Sequence, residues 1–166
     1  SLPFNSKEYS TSSPSVSRDG KTLYFSSDMP GTLGDVDIWK VAVNEDGSYG
    51  TPENLGKNVN TEGKESFPFI NDDNNTLYFA SSGRQGFGGL DVFQVDLSKN
   101  EKASNIGQPV NTEKDDFALS LNQEKNIGFL SSNRNGVDNI YTAIPVCSVE
   151  IITKVTDAKT GAPLAN

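Results

Sequence analysis

Apolar and polar residues alternate along this chain in short runs, and clusters of turn formers separate the runs. The first runs are SPSVS (13–17), TLYFSS (22–27), DIWKVAV (37–43) and TPENLG (51–56). Between them lie SRDGK, SDMPGTLGD and NEDGSYG. Runs rich in Val, Ile, Phe, Tyr and Thr with a period near two predict half-buried strands. Asp-Gly supplies the positive φ that tight hairpins require. No segment carries a sustained apolar pattern of helical period.

The pattern is written three times. TLYFSS at 22–27 returns as TLYFAS at 76–81 and, weakly, as IGFLSS at 127–132, with Phe129 set against Phe25 and Phe79. Pro14, Pro68 and Ala118 fall at matching places, as do DIW (37–39), DVF (91–93) and NIY (139–141). A linking phrase, NLGKNVNTE (54–62), recurs as NIGQPVNTE (105–113), and LPFNSKE near the start is a degenerate form of it. Four strands in a unit of about 50 residues, repeated, is the pattern of a propeller blade. The expected fold is therefore all-β: a β-propeller fragment of about three four-stranded antiparallel blades, at 8–61, 62–112 and 113–146. Leu23, Phe25, Ile38, Val41, Leu77, Phe79, Val92 and Val95 are the expected core between blades. Phe129, Trp39, Phe93 and Tyr141 are expected to share that structural role.

Bulk composition narrows the function by exclusion. Hydrophobic residues make up 34% of 166 residues, which suits thin sheets better than a thick core. Net charge is −8 with no basic run, which argues against nucleic acid and against an anionic membrane surface. There is no histidine, so histidine-based triads and most zinc sites are excluded. The single cysteine, Cys147, is expected to be a buried, inert thiol.

The units resemble the WD-like repeats of TolB-type propellers, whose blades read roughly sPs.SpDGk.lyFsSdr.G..DIy.v; here the first is SPSVSRDGKTLYFSSDMPGTLGDVDIWKV. The likeness covers about 2–146, and the third copy lacks the Pro and the Asp-Gly turn. The LG..VNTE link is similar to that of OmpA-like envelope proteins. The tail VEIITKVTDAKTGAPLAN resembles the first strand and turn of a carboxypeptidase-regulatory-like β-sandwich, which makes 147–166 a linker and the start of a second domain. The chain reads as a piece of a longer protein with further blades upstream. The resemblance implies a non-catalytic protein-interaction scaffold in the periplasm, associated with the outer membrane. It implies envelope or secretion-system partners, type IX secretion among them, and peptidoglycan held by a domain outside this chain. It implies no cofactor and no direct membrane insertion. The alternative is a glycan- or small-ligand-binding propeller, calcium-assisted, beside a missing domain.

Candidate site residues follow from topology. Loops joining second and third strands share a face with the links between blades, and long loops on a rigid scaffold usually carry binding. Met29, Arg84, Phe87 and Arg134 are the side chains there able to anchor a partner. Arg84 and Arg134 also have a structural reading as bridges between neighbouring blades. Asp37 and Asp91 are expected to accept N–H groups of the preceding loop. Asp35 with Asp37, NDDNN (71–75) and NEDG (44–47) offer oxygen ligands for calcium without the spacing of a known calcium loop. Glu65 and Asp115, aligned by the repeat at the start of inner strands near the channel mouth, are the one carboxylate pair to test for glycoside chemistry. The exposed flanks of the first and last blades are expected to be covered by another copy or by further chain.

Overall fold

The computed structural model describes residues 1–144. It is all-β, without a helix among the described residues. The first sheet is β1 (Thr11–Val16), β2 (Thr22–Ser27), β3 (Asp37–Ala42) and β4 (Glu53–Asn54), paired in that order. The second repeats it with β5 (Glu65–Ile70), β6 (Thr76–Ser81), β7 (Asp91–Asp96) and β8 (Ser104–Asn105). The third holds three strands among the described residues: β9 (Asp116–Asn122), β10 (Ile127–Ser132) and β11 (Asn139–Ala143). Every pairing within the sheets is antiparallel. Cys147 and the tail 147–166 lie outside the described residues.

The hairpin turns are held by short side chains. Asp19 Oδ1 accepts the Ser17 hydroxyl (2.6 Å) and the Lys21 N–H (3.1 Å), and Gly20 takes a φ of 71°. In the second sheet Asp73 accepts from the N–H of Asn75 and from both the N–H and hydroxyl of Thr76. Asn74 there takes φ 58°, as small polar residues can. The Ser17 hydroxyl and Lys21 N–H hold the Asp19 carboxyl below its ordinary pKa. Burial pushes the Asp73 carboxyl up, but the Thr76 and Asn75 bonds outweigh it and leave it lowered.

Register makes the three units superposable and corrects the third. Ser27, Ser81 and Ser132 pair with Asp37, Asp91 and Asn139. Counting back, Phe25 faces Trp39, Phe79 faces Phe93, and Leu130 faces Tyr141. Leu130, not Phe129, is therefore the third counterpart of Phe25 and Phe79. It is 3% exposed, whereas Phe129 is 45% exposed. The third copy has one aromatic where the others have Tyr-Phe, and matching it to the wrong one slips the strand by a residue. A one-residue slip turns every side chain to the other face. The same shift applies to the innermost strands. Ser13, Phe67 and Ala118 share a φ near +53°, each within a bulge against its neighbour. Pro14 and Pro68 thus match Leu119 rather than Ala118, and Glu65 matches Asp116 rather than Asp115.

The middle strands of the first two sheets are buried on both sides because those sheets are packed front and back. Tyr24 and Ile38, on the back of the first sheet, join Ile70, Leu77, Phe79 and Val95 of the second, with Val59 of the link. Tyr78 and Val92 pass the contact on to Leu119, Leu130 and Tyr141 of the third. On the front of the first sheet, Phe25, Trp39 and Val41 are covered by Phe4, Tyr9 and Met29, with Phe4 stacked on Phe25 at 5.1 Å.

Candidate partner-binding face

Three loops, 28–36, 82–90 and 133–138, leave the same end of the three sheets. The first two are pinned from beneath by buried aspartates. Asp37 Oδ2 accepts the Leu33 N–H (2.8 Å) and the Asn54 side-chain amide (2.6 Å). Asp91 Oδ2 accepts the N–H groups of Phe87 (2.9 Å) and Gly88 (3.0 Å). In the third loop Asn139 donates to the Val137 carbonyl (3.1 Å). Each anchor ties down the backbone of one apolar residue and leaves its side chain outward. Leu33, Phe87 and Val137 are all exposed, Phe87 at 49%.

The loops also lie on the link to the next sheet. Asp35 N–H bonds the Gly63 carbonyl, Glu65 N–H bonds the Val36 carbonyl, and Asp116 N–H bonds the Leu90 carbonyl. Gly34 and Gly88, each just after the exposed tip, meet backbone of Glu62–Gly63 and of Lys114 where a Cβ would stand. Any side chain there would push the loop off the link.

The links carry a latch that sequence reading missed. Asn60, fully buried, accepts the Ile38 N–H (2.8 Å) and donates to the Ile38 carbonyl (2.9 Å) and to Asn54 (2.9 Å). Asn111 repeats this on Val92 and Asn105. Thr61 then donates its N–H and hydroxyl to Glu65, which also accepts the Ser81 hydroxyl (2.6 Å). Thr112 does the same toward Asp116. The available signal was the spacing within the repeat: Asn-Thr followed four residues after the Thr by Glu or Asp. The linking phrases, aligned at 54–62 and 105–113, already set Glu65 on Asp116.

This latch reassigns several candidate residues. Glu65 and Asp116 are fully buried and spent on the link. Asp115 accepts from Leu90 N–H (2.9 Å) and the Asn133 amide (2.9 Å), so it holds two loops together. Arg84 donates to the carbonyls of Asn58 (2.8 Å) and Val59 (2.9 Å) and lies over the Phe93 ring. Burial lowers its pKa, and the Glu65 charge opposes the shift. Arg134 donates to the Val110 carbonyl (2.8 Å) and to Asp116 (2.6 Å), with its guanidinium 4.6 Å from the Tyr141 ring centre. Both arginines thus bridge a sheet to the link before it. Met29 is buried beside Trp39 and takes no part in the outer face. Of the four anchor candidates, Phe87 stands out in solvent, and it is joined there by Leu33 and Val137. Among the described residues no group of three or more His, Cys, Asp or Glu is gathered for a metal ion.

No protein-family model matches the chain, and no curated protein matches it. Solved structures do. TolB from Acinetobacter baumannii aligns with a TM-score of 0.54 at 16% identity, over 91% of this chain and 31% of its own. A puromycin-hydrolyzing peptidase from Mycobacterium tuberculosis aligns at 0.56 and 16%, over 93% of this chain and 22% of its own. Prolyl oligopeptidase B from Galerina marginata aligns at 0.56 and 20%, over 95% and 19%. The fold is a piece of a β-propeller. The three sheets are its blades, and the chain spans less than a third of each of these neighbours. At such identities the likeness concerns the propeller fold alone. No helix among the described residues is long and apolar enough to cross a membrane.

Proposed function

We propose that this propeller piece is a non-catalytic protein–protein interaction scaffold. The observation that carries the reading is the row of exposed apolar tips, Leu33, Phe87 and Val137, one per blade on one face. Apolar side chains fixed on tied-down loops cost little entropy to bury and make suitable anchors. Of the carboxylate pair singled out in the sequence, Glu65 is engaged by Thr61 and Ser81 and Asp115 by Leu90 and Asn133, and Asp116, the register equivalent of Glu65, is engaged by Thr112 and Arg134, which supports a binding role over hydrolysis. The resemblance of the linking phrase and the tail to OmpA-like envelope proteins supports a scaffold on the periplasmic side of an outer membrane. Its partners there are other envelope or secretion-system proteins, type IX secretion included, while a domain outside this chain holds peptidoglycan.

The test is capture from envelope extracts with the wild-type chain and with a triple variant, Leu33→Ser, Phe87→Ser and Val137→Ser. The variant is expected to stay folded, since all three side chains are solvent-exposed, and to lose most of the captured protein. Retention of the same proteins at the same level would remove the loop tips from the binding site.

A further inference from the structure

The links between blades set carboxylates between the apolar tips. Glu62 and Glu113 share one register position, each shortly before the first residue of an inner strand, Glu65 and Asp116, and both are exposed. The link around Glu62 is held by the loops on either side of it. Asp35 N–H bonds the Gly63 carbonyl (3.1 Å), and Ser82 N–H bonds the Lys64 carbonyl (3.0 Å). The link around Glu113 is held in the same way. The Lys114 backbone lies against Gly88, and Asn133 N–H bonds the Asp115 carbonyl (3.1 Å). In order across the face come Leu33, Glu62, Phe87, Glu113 and Val137, apolar and acidic by turns. Neither glutamate is in an ion pair among the described residues. Segments 28–37, 55–65, 82–91, 106–116 and 133–138 hold ten Asp and Glu against five Lys and Arg, so this end of the chain is net negative. Two of the five cations, Arg84 and Arg134, are turned to the links, which leaves Lys57, Lys64 and Lys114.

Given these loops as the binding surface, on which the inference rests, we infer that their occupant is a basic, extended segment of a partner protein. Its apolar side chains would meet Leu33, Phe87 and Val137, and its Lys or Arg side chains would meet Glu62 and Glu113. Opposite charge across an interface selects the partner and speeds encounter, and an acidic partner is turned away by like charge. The spacing follows from the fold. Stacked sheets stand about 10 Å apart and an extended chain rises about 3.3 Å per residue, so an apolar residue at every third position matches one tip per blade.

Fluorescence anisotropy with two labelled peptides tests it: three repeats of Leu-Lys-Ser, and the same peptide with Glu for Lys. The full chain is expected to bind the lysine peptide at low salt and the glutamate peptide at least about tenfold more weakly. Glu62→Gln with Glu113→Gln, both exposed and so compatible with folding, should weaken the lysine peptide by about tenfold. Glu45→Gln with Glu101→Gln, exposed acids at the opposite end of the strands, should change it by less than about twofold. No binding of the lysine peptide, or equal affinity for both peptides, would overturn the proposal. So would equal weakening by the two pairs, which marks attraction to the net charge of −8 rather than to this face. Envelope capture separates this from the scaffold reading. Capture lost with Leu33→Ser, Phe87→Ser and Val137→Ser but kept with Glu62→Gln and Glu113→Gln would retain the scaffold and overturn the basic partner. Capture kept in both would remove the loop tips themselves.

Discussion

Leu130→Ala is expected to cost about 2–5 kcal/mol of unfolding free energy, while Phe129→Ala one residue away stays within about 0.5 kcal/mol. Leu130 lies in the cluster with Val92 and Leu119, and its removal leaves a cavity between the second and third blades. Phe129 lies on the back of the third blade, 45% exposed, and loses little on truncation. Phe79→Ala, in the equivalent place one blade earlier, is expected to cost about 3–5 kcal/mol. Urea unfolding of the three variants under one set of conditions makes the comparison. A costly Phe129→Ala with a harmless Leu130→Ala would restore the register read from the sequence and undo the one described here.

Arg134→Met should destabilise the chain by about 3–5 kcal/mol, because it strands a charge. The Asp116 side chain is 0% exposed and the Arg134 side chain 23%, so the pair is shielded from water on its acidic side. Thr112 N–H and hydroxyl satisfy Asp116 Oδ2, and the arginine satisfies Oδ1. Removing the arginine leaves a buried carboxylate with half of its partners. Adding Asp116→Asn to Arg134→Met should recover much of the loss, since a neutral amide no longer needs the counter-charge. Thermal unfolding of the two single variants and the double variant reads this directly. A double variant whose loss equals the sum of the singles would make the arginine's role one of packing over Tyr141 rather than of charge.

Much of this architecture was legible before any coordinates. Strand runs, Asp-Gly turns and a unit written three times lead to stacked four-stranded sheets, and the aspartates before the third strands do cap their loops. The register of the third copy was harder, because IGFLSS keeps one aromatic of two and its hairpin lacks the Asp-Gly turn. The error carried over from Phe129 to Asp115, since both were placed by the same alignment. The arginines were legible as bridges from their repeated position, but the carbonyls they reach, on the preceding link, were not. That reach depends on how neighbouring blades sit, which spacing within one blade does not state. Leu33 and Val137 escaped notice for a related reason. An apolar residue in a loop is ordinary in a sequence. It becomes informative when three of them stand at corresponding loop tips.

The account depends on blades that stack front to back, so that residues far apart in sequence share a core while neighbours in one sheet do not. A pair of double-mutant cycles tests this most directly. Ile38 and Phe79 belong to one cluster across two blades, whereas Ile38 and Phe25 sit on opposite faces of the same sheet. Ile38→Ala with Phe79→Ala should show a coupling of about 0.5–3 kcal/mol, and Ile38→Ala with Phe25→Ala should be additive within about 0.5 kcal/mol. Coupling between Ile38 and Phe25, with none between Ile38 and Phe79, would contradict the stacking on which the fold and the loop face both stand.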